Sequence, residues 1–117
     1  MTDNSSEKIL NSIKNGIEDV KGEDIVILDL KEIDNSVCDY FVVCSGNSNT
    51  QVAAIANSVE RTVRKEISER PINTEGKDNA KWVLIDYASV VVHVFQKPVR
   101  EYYNIEGMWG DAKEINV

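Results

Sequence analysis

The chain reads as an α/β fold, a single domain whose mixed and mostly buried β-sheet is flanked by helices. Three observations predict it: short β-branched runs too brief for helices, longer stretches with apolar residues about every 3.6 positions, and a hairpin signature in the last third. With 117 residues, 42% hydrophobic and 28% charged, the chain can build one core without metal or disulfide support. No repeat, linker or low-complexity stretch divides residues 1–117.

Taken in order, residues 6–21 place Ile9, Leu10, Ile13, Ile17 and Val20 on one helical face, and Gly22 stops the helix. Ile25 to Leu30 is a continuous apolar run with the composition of a central strand covered on both faces. After the turn-prone Lys31 to Asp39, Tyr40 to Cys44 repeats that signature, and Ser45-Gly46-Asn47 breaks it. Ser48-Asn49-Thr50-Gln51 then reads as a capping box, with the Ser48 oxygen on the Gln51 amide and the Gln51 side chain returning to the Ser48 amide. The helix it opens carries Val52, Ile55, Ala56, Val59, Val63 and Ile67 as one core stripe and ends at Arg70-Pro71.

Ile72 to Lys81 reads as a polar connection holding Glu75-Gly76. Trp82 to Ile85 and Val90 to Phe95 read as strands of an antiparallel hairpin linked by Asp86-Tyr87-Ala88-Ser89. Pro98 can open a last helix running through Tyr102, Tyr103 and Ile105 toward Gly107, with a polar tail after Ala112. The expected order is α-β-β-α-β-β-α.

Charge and hydropathy exclude several functions. A formal net charge of -7 argues against holding duplex nucleic acid, because that affinity comes from Lys and Arg on phosphates. A basic protein is the better partner. No apolar run approaches the roughly 20 residues of a membrane helix, and the first residues, Met1-Thr2-Asp3-Asn4, lack the layout of a signal peptide. The expected compartment is the cytosol, where Cys38 and Cys44 would be free thiols filling the core.

The candidate chemistry is thin. Ser45-Gly46-Asn47-Ser48 at a helix start offers free amides to a phosphate, but it lacks the Lys-Ser/Thr of a P-loop and the glycines of a dinucleotide fingerprint. A nucleotide-binding or nucleotidyltransferase-like enzyme using that turn with Asp86 is the rival reading. Its Mg²⁺ would need two or three close carboxylates, whereas Asp86 stands alone and Asp29 and Asp34 belong to another element. Neither a metal nor a cofactor is expected. His93, the single histidine, alternates with Val91 and Phe95 and has no nucleophile placed beside it, so it reads as a half-buried, hydrogen-bonded strand residue.

Aromatic surface without catalytic clustering points to binding. Strand alternation puts Trp82, Leu84 and Asp86 on one face and Val83, Ile85 and Tyr87 on the other. Trp82 either caps the core under the 75–81 loop or belongs to an interface, while Tyr87 at an exposed turn favours an interface. Tyr102, Tyr103, Met108 and Trp109 either fold back on the sheet or form a second surface.

Six motifs in order carry a family resemblance: Asp39-Tyr-Phe-Val-Val-Cys-Ser-Gly46, Gln51-Val-Ala-Ala-Ile-Ala56, Glu75-Gly76, Trp82-Val-Leu-Ile-Asp-Tyr87, Val90-Val-Val-His-Val-Phe95, and Arg100-Glu-Tyr-Tyr-Asn-Ile-Glu106 with Trp109-Gly-Asp-Ala112. The chain closely resembles the ribosomal silencing factor, or Iojap-related, family, and the match runs in order from about Ile9 to Ala112. The resemblance implies a nucleotidyltransferase-like fold without transferase activity. It implies a partner, ribosomal protein L-fourteen of the large subunit, and steric obstruction of subunit joining when nutrients are short. It also implies a possible homodimer. Carried over by motif, the partner-binding residues are Trp82 and Tyr87, with Asp86, Ser45 and Gly46 as further candidates. Two departures stand out: Ala88-Ser89 where relatives commonly have Gly-Asp, and Asn49-Thr50 where a basic residue is frequent.

Overall fold

Both helical periodicities and all the β-branched runs form the expected elements in a computed structural model, which describes residues 4–34 and 36–115. The long helices are α1 (Asn4–Asp19) and α2 (Asn49–Ile67), and the expected strands are β1 (Glu23–Asp29), β2 (Tyr40–Gly46), β4 (Trp82–Asp86) and β5 (Val90–Gln96). Two short strands join them, β3 (Asn73–Glu75) and β6 (Lys113–Ile115). The six-stranded sheet has the order β3-β4-β5-β2-β1-β6, with β2 and β5 parallel and every other pair antiparallel.

The sheet has two unlike faces. Ile27, Val42, Cys44, Val83, Ile85, Val92 and Val94 point to one of them and pack under α1 and α2. The helices themselves approach closely at Gly16, where an added Cβ would lie 2.8 Å from the Val59 Cα, and the buried Ser58 hydroxyl donates to the Gly16 carbonyl at 2.7 Å. Leu28, Phe41, Val43, Val91 and Phe95 point to the opposite face. Among the described residues, Leu30, Ile33 and Cys38 pack on that side together with two short helices, α3 (Lys97–Tyr103) and α4 (Ile105–Met108), and with Trp109 and Ala112 after them. The burial that stabilises the fold is therefore concentrated under α1 and α2, and the second face stays partly open at β4.

Four local readings need correction. The stretch after Ala112 is not only a polar tail: it supplies the edge strand β6, which pairs outside β1 and leaves β1, as expected, inside the sheet. The last helix is two, because Asn104 adopts a left-handed conformation (φ 45°) that ends α3, while its side chain accepts from the Gly107 amide to start α4. α2 ends at Ile67 through a left-handed Ser68 (φ 59°), before Arg70-Pro71 is reached. Ser48 caps the Gln51 amide at 3.1 Å, but the Gln51 side-chain oxygen Oε1 accepts from the Asn47 amide at 2.6 Å rather than from the Ser48 amide.

Ala88 in the β4–β5 turn has φ 71°, a conformation in which a Cβ is strained. Restoring glycine relieves that strain, so Ala88→Gly is expected to raise the unfolding free energy by about 0.5 kcal/mol, net of the extra entropy of an unfolded glycine. Urea melts of the two proteins side by side measure it.

Candidate docking surface

The open part of the second face is built on β4. Trp82, Leu84 and Asp86 all point there and are each half-buried, whereas Val83 and Ile85 are fully buried under the long helices. Beside them the edge strand β3 adds exposed Asn73 and Glu75, paired with Asp86 and Leu84. The alternation expected for β4 thus holds residue by residue.

An aromatic file crosses this face. Trp109 meets Phe41 edge-on at 5.6 Å, and Phe41 meets His93 at 4.6 Å. Trp82 stacks on Phe95 at 4.8 Å and contacts Tyr103 at 5.0 Å, and Tyr103 contacts Tyr102 at 5.0 Å. The residues 102–109 therefore divide: Trp109 and Tyr103 fold back on the sheet, while Tyr102 and Met108 are 81% and 71% exposed. Between Trp82 and the tyrosines lies a cleft of about 530 Å³, also lined by Lys81, Pro98 and Val99.

Trp82 is fixed from below by two neighbours. Its indole N–H donates to His93 Nδ1 at 3.1 Å. Gly76 (φ 90°) brings the 75–80 turn so near that an added Cβ would lie 2.1 Å from the Trp82 carbonyl oxygen. Only glycine allows that approach. His93 is deeply buried, and burial pulls its imidazole down from 6.5 to about 4.

The other sequence candidates sit elsewhere. Tyr87 is not at an exposed turn: it is 7% exposed and packs in the core under α1 and α2, on the opposite side of the sheet from Trp82. The turn is at the surface, but the strand pleat sends this side chain inward. Burial, with Glu60 and Glu69 adding to it, pushes its phenol well above the ordinary range, and its hydroxyl has no partner among the described residues. Ser45 is 1% exposed and Gly46 is buried. The Ser45 hydroxyl accepts from Arg100 Nη1 at 2.8 Å.

Trp82 and Ser45 both pair with Phe95, so they lie at one end of the sheet, while Asp86 pairs with Val91 at the other. The turn and the acid of the rival enzyme reading are therefore held apart, and the Asp86 carboxylate accepts from the Ala88 amide at 2.7 Å. Both thiols are free and buried, Cys38 pushed up to about 11 and Cys44 to about 12 by burial, which makes them poor nucleophiles.

The family described as "Ribosomal silencing factor during starvation" matches residues 3–117. The chain belongs to that family. Among relatives of this ribosomal silencing factor family, the protein named ribosomal silencing factor RsfS of Halalkalibacterium halodurans is 41% identical over 113 residues, 97% of this chain and 95% of its own length. A crystal structure of a Chromobacterium violaceum protein superposes with a TM-score of 0.83 at 38% identity, covering 89% of this chain and 85% of that one. More distantly, the mouse protein named mitochondrial assembly of ribosomal large subunit protein 1 is 33% identical over 73 residues, 61% of this chain and 32% of that protein.

Proposed function

We propose that this chain is a non-enzymatic cytosolic factor that docks on ribosomal protein L-fourteen of the large subunit and sterically blocks joining of the small subunit, lowering translation under nutrient limitation. Membership of the silencing-factor family supports the outcome, and the half-open aromatic face of β4 supports the route. That face is the single observation that carries the reading. It gathers Trp82, Tyr103 and Tyr102 around one cleft, the composition that dominates binding energy at protein interfaces.

A net charge of -7 suits a basic ribosomal protein, and complementary charge speeds encounter in a salt-dependent way. In this reading Trp82 makes the central contact and Asp86 a charged one at the far end of the same strand face. Tyr87, Ser45 and Gly46, being buried, serve as backing that shapes the strand ends. A homodimer would compete with the subunit for the same aromatic face.

Sedimentation tests both parts. Wild-type protein is expected to travel with isolated large subunits and to reduce the fraction of joined ribosomes when small subunits are added. Trp82→Ala is expected to weaken docking about thirtyfold, roughly 2 kcal/mol, as truncation of a central aromatic anchor does. Unchanged joining at saturating protein would sink the steric mechanism. Undiminished docking by Trp82→Ala would displace the contact from β4.

A further inference from the structure

We infer that His93 is a positioning residue for docking: it accepts the Trp82 indole N–H and so fixes which edge of that ring a partner meets. The inference rests on the reading of Trp82 as a docking residue. Stacking on Phe95 sets the plane of the indole, with the rings inclined by only 28°. Stacking alone does not choose which edge faces inward. The 3.1 Å hydrogen bond to His93 Nδ1 makes that choice, and it turns the only polar atom of the indole toward the sheet.

His93 is itself held in place for this task. It is 5% exposed, and Phe41 packs edge-on against its ring. Because Nδ1 is the acceptor, the imidazole is neutral and its proton sits on Nε2, which finds no partner among the described residues. An unmatched buried N–H destabilises the fold. The strand Val-Val-Val-His-Val-Phe is otherwise apolar, and a phenylalanine or leucine would fill the same place without an orphaned donor. Packing therefore gives no reason for a histidine here; the bond to Trp82 does.

The orientation has a consequence for the partner. With its N–H consumed, Trp82 offers the cleft beside Tyr103 and Pro98 a purely apolar, π-rich surface. The complementary group is an aliphatic stem or a cation lying on the ring, as a lysine or arginine side chain supplies, and not a hydrogen-bond acceptor.

The test compares His93→Phe and His93→Leu, which lack the acceptor, with His93→Gln, whose amide oxygen can replace it. All carry Trp109→Phe, so that Trp82 gives the sole indole signal. The indole N–H resonance is read by NMR and docking by co-sedimentation with isolated large subunits. The expected result is a displaced resonance and about tenfold weaker docking for the Phe and Leu variants, with both recovered in His93→Gln. A resonance that does not move in the folded Phe or Leu variant overturns the inference, and so does docking that is insensitive to all three changes. Trp82→Ala in the same experiment separates the two failures. If it docks normally, the reading of Trp82 has failed and the inference falls with it; if it does not, insensitivity to His93 condemns the inference alone.

Discussion

Arg100→Ala is expected to lower the unfolding free energy by about 2 kcal/mol, because a part-buried bidentate ion pair and two further hydrogen bonds are lost while the Glu106 side chain keeps 28% of its surface in water. Arg100 Nε and Nη2 grip both carboxylate oxygens of Glu106 at 2.8 and 2.9 Å, while Nη1 donates to the Ser45 hydroxyl and to the Asp24 carbonyl, each at 2.8 Å. Only 12% of the Arg100 side chain is exposed. The Asp24 carbonyl is there to be gripped because β1 is irregular between Glu23 and Val26, and Asp24 has φ 53°. One guanidinium thus ties α3, α4, the end of β2 and the bulge of β1 together.

Truncating Arg100 leaves the Glu106 carboxylate unpaired, and hydrogen bonds from Arg100 are the main cause that holds this carboxyl below its usual range against the opposing effect of burial. Lysine cannot reproduce the fork, so Arg100→Lys should recover little of the loss. Urea denaturation at neutral pH measures both variants, and a change below about 1 kcal/mol for Arg100→Ala would mean that the clamp contributes no more than a surface pair. Because α3 carries Tyr102 and Tyr103, loosening the clamp should also weaken docking.

The contrast between what the chain discloses and what it conceals follows from which groups need a pattern. α2 is legible because one buried face imposes a 3.6-residue period, and β2 and β5 because burial on both faces fills them with short, nearly continuous apolar runs. β3 and β6, Asn-Thr-Glu and Lys-Glu-Ile, bury almost nothing and are held by edge hydrogen bonds available to any backbone, so no side-chain signal marks them. The family resemblance points to Trp82, and strand alternation places it, as the structure does, on the face opposite Val83 and Ile85. Its partner His93 lies diagonally across the hairpin from it, and that bond depends on the register set by Leu84 opposite His93. The Ser45 hydroxyl is claimed by an arginine 55 residues away, a contact that local spacing cannot reveal. Tyr87 shows the opposite error, in which nearness to a turn outweighed the pleat that sends its ring into the core.

Lowering the pH from 6.5 toward 4 is expected to remove about 3 kcal/mol of stability through His93 alone. Burial holds this imidazole at about 4 in the fold against its ordinary 6.5, and its ring neighbours Phe41, Trp82 and Phe95 carry no charge to offset that. The folded pKa is the lower one, so between these limits the unfolded chain binds the proton that the native state refuses. Stability is therefore full above about 6.5 and falls with a limiting slope of about 1.4 kcal/mol per pH unit as the medium is acidified. No other histidine contributes, since the chain has one. Glu23 and Glu106 titrate below the ordinary carboxylate range, so their ion pairs fail only at lower pH. Urea midpoints at about pH 7, 6, 5 and 4.5 trace the decline for the wild type, and His93→Gln should flatten it in this window. An equal decline in His93→Gln would assign the acid sensitivity to carboxylates. The same proton that destabilises the fold would occupy Nδ1 and release the Trp82 indole, so acid should disorder the proposed docking face as it weakens the core beneath it.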